Sequence, residues 1–155
     1  MKELNLGILR KLGACGDAIE IYEKRQEKDP IKAIELLIDG CEELVGVSNR
    51  VRMGWASWFM TRLLSDKDKT RYAIFAAEQV LGIFEKAYPD DKRPLEAIEA
   101  AKKYLNGNIS AADAAYAAYA AHAAGNAAYA AEDYDDMLTL ILRHGIKLLS
   151  GESDR

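Results

Sequence analysis

A chain of 155 residues, 50% hydrophobic and 30% charged, is the size of one domain and can bury roughly two thirds of its unfolded surface without disulfide or metal support. Its net charge of −4 argues against a nucleic-acid binder, and no apolar run approaches the ~18 residues of a membrane span. The two cysteines have no second Cys or His at ligand spacing and no signal peptide ahead of them, so the expectation is reduced thiols in the cytoplasm, with no metal and no cofactor.

From the start of the chain, Leu4, Leu6, Ile8, Leu9 and Leu12 predict a short first helix that ends at the Gly13 to Gly16 punctuation. Asp17 caps a second helix running to about Lys28, with Ile19, Ile21 and Tyr22 inward. Asp29-Pro30 starts a third, because proline suits the first helical position, and Gly40 ends it. The stretch from Cys41 to Leu64 reads as helical with a break near Val47, and Val51, Trp55, Trp58, Phe59 and Leu63 mark an apolar side that predicts the aromatic centre of the core. The alternative for the tryptophans is an exposed contact surface.

Ser65 to Asp68 supplies caps for a helix from about Lys69 to Lys86. The connector Tyr88 to Pro94 follows, and Pro94 starts a helix that Asn106-Gly107-Asn108 closes. Ser110 then caps a segment in which 14 of the 21 residues from Ala111 to Ala131 are alanine, the best helix former. Methyl-sized side chains let neighbouring helices approach closely, which predicts a buried central helix. A last amphipathic helix runs from Met137 to Leu149. With no sustained alternation the chain predicts no strand, and the expected fold is an all-α single domain over residues 1–155, a bundle of about seven helices around the alanine-rich one.

On an ideal helix Tyr116, Tyr119, His122, Asn126 and Tyr129 fall within an arc of roughly 140°. This stripe either lines a pocket in which imidazole, amide and phenol could do acid–base work or fills gaps between packed helices, and packing is the preferred reading. Glu132, Asp133, Asp135 and Asp136, with Tyr134 among them, form an acidic corner that lacks the spacing of a calcium loop. Between Lys103 and Arg143 the chain carries five acidic residues and no Lys or Arg, so the corner suits a basic partner surface. No motif for a catalytic serine, a phosphate loop, a dinucleotide or a zinc protease occurs, so no catalytic residue is assigned.

Within Tyr72 to Ala131, an A-x-x-V-L-x-I-F helix, the connector P-D-D-K-R-P with A-I-E-A-A, and an alanine-rich helix with A-A-H-A-A follow one another. In these pieces the chain resembles small α-helical immunity proteins of polymorphic-toxin systems and related alanine-rich phage proteins. The resemblance implies structural roles for Asp91, Arg93 and Pro94, acid and guanidinium locking the turn while proline starts the helix. It also implies a non-catalytic binding protein of immunity or phage anti-defence type, neutralising a toxin or a host defence effector by occupying its surface. The competing expectation is a small enzyme or ligand-binding protein using a pocket around His122, Asn126 and Tyr129. Neither reading needs a membrane or nucleic acid, and a homo-oligomer is compatible with both.

Overall fold

The computed structural model describes residues 3–108 and 134–152. Among these the protein is all-α, with seven α-helices, one 3-10 turn and no strand. The helices are α1 (Leu6–Leu12), α2 (Gly16–Arg25), α3 (Pro30–Asp39), α4 (Asn49–Leu63), α5 (Asp66–Ala87), α6 (Arg93–Leu105) and α7 (Tyr134–Ser150). The predicted alanine-rich central helix lies outside the described residues. The chain divides into two compact units, Met1–Leu64 with Gly145–Arg155, and Ser65–His144.

In the first unit the helix ends follow from local chemistry. Asn5 accepts a hydrogen bond from the Ile8 N–H at 3.0 Å to open α1, and Gly13, at φ 81°, turns the chain out while its N–H and that of Ala14 satisfy carbonyls of the last turn. Asp29 Oδ1 accepts from Ile31 N and Lys32 N at 2.8 and 3.3 Å, and Pro30 follows it as the first residue of α3. The sequence reading of α2 needs correction at both ends. Cys15, not Asp17, occupies the cap position, and the helix stops at Arg25 because Gln26 adopts a left-handed conformation with φ 55°. Leaving the helix there lets the Lys28 carbonyl accept from Leu4 N at 2.7 Å, while the Tyr22 hydroxyl donates to the Leu4 carbonyl at 3.0 Å.

The stretch after Gly40 departs further from the expected helix. Residues Glu42–Leu44 form a 3-10 turn, Gly46 takes φ 88°, and α4 begins only after Ser48 accepts from Val51 N. Leu44 is buried but Val45 is 84% exposed, so this piece has no continuous apolar face to hold a helix down. Along α4 the buried residues are Met53, Ala56, Phe59 and Met60, which span an arc of about 120° on an ideal helix. Val51 is exposed, and both tryptophans are half-buried beside that arc rather than at the centre of the core.

In the second unit Ser65 caps α5 by accepting from Asp68 N at 3.2 Å, and its hydroxyl donates to Asp68 Oδ2 at 2.6 Å. The capping run therefore becomes the first helical turn, and the helix starts at Asp66 rather than near Lys69. Helix α5 packs on α6 through Ile74, Ala77 and Ile98, with Leu81, Ala101 and Leu105 alongside, and Lys102 pairs with Glu78 at 2.6 Å across them. Val80 and Phe84 of α5 receive Met137 of α7, and the Phe75 and His144 rings stack with centroids 3.8 Å apart and planes 7° off parallel. Helix α7 begins at Tyr134, so Asp135 and Asp136 belong to its first turn, where carboxylates complement the positive end of the helix dipole.

Candidate functional site

Helices α1 to α4 of the first unit surround a partly open cavity of about 380 Å³. Its lining includes Trp55, Trp58 and Phe59 from α4, Leu36 and Leu37 from α3, and Ile21 from α2. Water is a poor filler, because each molecule needs about two to four polar partners that an apolar wall does not offer.

The polar groups of this wall are already engaged. The Tyr22 hydroxyl serves Leu4, and Arg25 reaches Glu43 at 3.3 Å. Cys41 and Cys15 also line the cavity. Burial pushes the Cys41 thiol up from its ordinary pKa, and its hydrogen bond to Glu43 adds to this, so Cys41 is held as a thiol and is a poor nucleophile near neutral pH. Glu43 is lowered in turn, first by that bond from Cys41. Cys15 precedes α2, while Cys41 sits by the Glu43 that pairs with Arg25 at the other end of that helix. Ten helical residues span about 15 Å, too far for a disulfide, and both cysteines are free.

Gly54 lies inside α4 and lines the same cavity. A Cβ added there would meet nothing within 4 Å, so packing does not require glycine, although glycine in a helix interior costs about 1 kcal/mol relative to alanine. The sequence reading missed this cavity, for which an interior glycine next to Trp55 was the one available signal.

In the second unit the connector is held by Asp91 and Arg93. Asp91 Oδ1 accepts from the Arg93 backbone N–H at 3.1 Å and from Nε at 2.9 Å, and Oδ2 accepts from Nη2. The guanidinium and that backbone bond hold the Asp91 carboxyl well below the usual range, at about 2. Pro94 is buried in the first turn of α6. Asp135 and Asp136 are exposed. Glu132, Asp133, Tyr116, Tyr119, His122, Asn126 and Tyr129 lie outside the described residues, as does the side chain of Tyr134, so the structure does not bring the predicted stripe or the full acidic corner into view. Among the described residues no group of three or more His, Cys, Asp or Glu could hold a metal, and no helix is long and apolar enough to cross a membrane.

Residues 62–141 match the family model described as Imm-5 like putative immunity protein. The chain belongs to that family. No curated protein and no solved structure matches it. The Imm-5 like match runs from the end of α4 through α5 and α6 into α7, so it contains the Asp91–Arg93 connector and the acidic turn at Asp135 and Asp136. The apolar cavity, built from residues between Leu4 and Phe59, lies entirely outside the matched part.

Proposed function

We propose that this chain is a non-catalytic immunity protein that acts in the cytoplasm by binding a toxin or a host defence effector and covering the surface that the effector needs. The observation that carries this reading is the Imm-5 like match over residues 62–141. The contact surface on this reading is the acidic corner Glu132, Asp133, Tyr134, Asp135 and Asp136. Its support is the exposure of Asp135 and Asp136 and a run from Tyr104 to Leu142 with five acidic residues and no Lys or Arg. Carboxylates around an aromatic ring suit a basic partner, charge setting encounter rate and orientation while the ring supplies buried area.

The test is co-expression with toxin genes encoded beside the gene for this chain. Restored growth together with one-to-one co-purification supports the proposal. Continued growth arrest with every neighbouring toxin, while the chain is present and helical, overturns it.

A further inference from the structure

We propose that the cavity between α1 and α4 is a binding site for a small, uncharged, predominantly apolar molecule of one to three fused or linked rings or an equivalent chain. This goes beyond the immunity reading and does not rest on it, since the cavity lies outside the residues that match the family. The observation that carries it is a cavity of about 380 Å³, within the ~300–1,000 Å³ range of ligand pockets, with Trp55, Trp58 and Leu37 in its wall. Gly54, an exposed interior glycine of α4 at its edge, has open space where a Cβ would stand, so a side chain placed there enters the space of the cavity.

The chemistry of the wall sets the class of ligand. Among the described residues no buried side-chain polar atom lacks a partner, and of the two charged residues in the lining Arg25 pairs with Glu43 beside the cavity while Glu27 accepts a hydrogen bond from the Asp29 backbone N–H. A charged head group would therefore lose its hydration without gaining an unpaired counter-ion, whereas an uncharged ring or chain exchanges water for Trp, Leu and Phe surface. Trp58 has the Arg62 guanidinium over its ring at 4.3 Å from the centroid, which fixes that part of the wall.

The protein's two tryptophans both line the cavity, so its intrinsic fluorescence reports on this site. The probe is N-phenyl-1-naphthylamine, uncharged and fluorescent in apolar surroundings, titrated into the full chain. The proposal expects saturable one-to-one binding with energy transfer from tryptophan. Gly54→Leu places a side chain in the cavity, and displacing burial worth two CH₂ groups weakens binding at least about tenfold. Its melting temperature stays level or rises, because leucine is the better helix former. The same change at Gly82, also an interior helix glycine with open space before it but in α5, leaves probe binding unchanged. Should Gly54→Leu disturb the helical spectrum, Gly54→Ala gives a smaller loss in the same direction. The sulfonated analogue 1-anilinonaphthalene-8-sulfonate binds about tenfold more weakly, its charge uncompensated. Unsaturable probe binding, equal weakening by Gly54→Leu and Gly82→Leu, or tighter binding of the sulfonate overturns the proposal.

Discussion

Arg62 donates its Nε–H to the backbone carbonyl of Leu12 at 3.1 Å, joining the end of α4 to the end of α1 across fifty residues of chain. Helix α1 has only seven residues, far below the length at which a helix holds by itself, so it depends on such anchors. The same guanidinium donates from Nη1 to the Trp58 carbonyl and lies over the Trp58 ring. Arg62→Met keeps the apolar stem and removes the donors. It is expected to lower stability by about 1–3 kcal/mol, from two exposed hydrogen bonds of a charged donor and one exposed cation–π contact, read as a lower midpoint in urea. An unchanged midpoint would mean that α1 is held instead by the burial of Leu4 and Leu9 and by the hydrogen bonds of Leu4 to Lys28 and Tyr22.

A second anchor joins α3 to α4. Arg52 Nη1 donates to the carbonyls of Leu37 and Ile38 at 3.0 and 3.2 Å, filling acceptors that the end of α3 leaves open. Gly40 permits this approach: its φ is 90°, and a Cβ there would stand 3.1 Å from Arg52 Nη1. Gly40→Ala meets both a disfavoured backbone and a crowded guanidinium, for an expected loss of about 1–3 kcal/mol. Thermal melts of Gly40→Ala and of Gly16→Ala, which sits at a helix start with nothing within 4 Å, separate this from a general cost of losing glycine.

These anchors show which parts of the fold were legible in the residues. Local signals carried far: Asp29 before Pro30, Ser65 before its acidic turn and Gly13 after α1 all act on neighbours a few positions away, and each marks a helix end in the structure. The end of α2 was not legible, because Gln26 has no intrinsic reason to be left-handed and is held there by Lys28 pairing with Leu4. The tryptophans misled for a related reason. Apolar residues surround α4, so periodicity alone did not separate the buried arc of Met53, Ala56, Phe59 and Met60 from the cavity-facing Trp55 and Trp58. A cavity walled by four helices is a long-range property, and of all its features only Gly54 left a local trace.

The connector gives a pH prediction with a definite sign. Asp91 titrates at about 2 in the folded protein, below its ordinary 3.8. A depressed carboxylate contributes stability that is present above the unfolded value and is lost as pH falls from about 4 toward 2. The expected observation is a carboxyl carbon resonance of Asp91 with a midpoint near 2 in the wild type, moving up toward 3.8 in Arg93→Ala, where the guanidinium is gone. The Arg93 side chain is exposed and that of Asp91 partly so, and high salt should therefore shift the wild-type midpoint in the same direction. A midpoint unaffected by Arg93→Ala would assign the depression to the backbone N–H of residue 93 instead.

The acidic turn of α7 is the part of the proposed contact surface whose exposure is described. Asp135 and Asp136 occupy the first turn of that helix, and Met137 behind them packs on Val80 and Phe84, so the turn is fixed to the core of its unit by an apolar contact. On the immunity reading these carboxylates act on the encounter with a basic partner more than on the final affinity, since exposed charges at an interface rim govern association. Replacing both by asparagine keeps shape and removes charge. The association rate with the toxin recovered by co-expression should fall severalfold at low salt, and the difference from wild type should shrink near 1 M salt, where the screening length is about 3 Å. Loss of favourable charge at the helix start costs roughly 0.3–1 kcal/mol per residue, so a melting point lower by a few degrees is expected and does not count against the interface. Association rates equal to wild type at low salt, with the helical spectrum intact, would remove Asp135 and Asp136 from the contact surface.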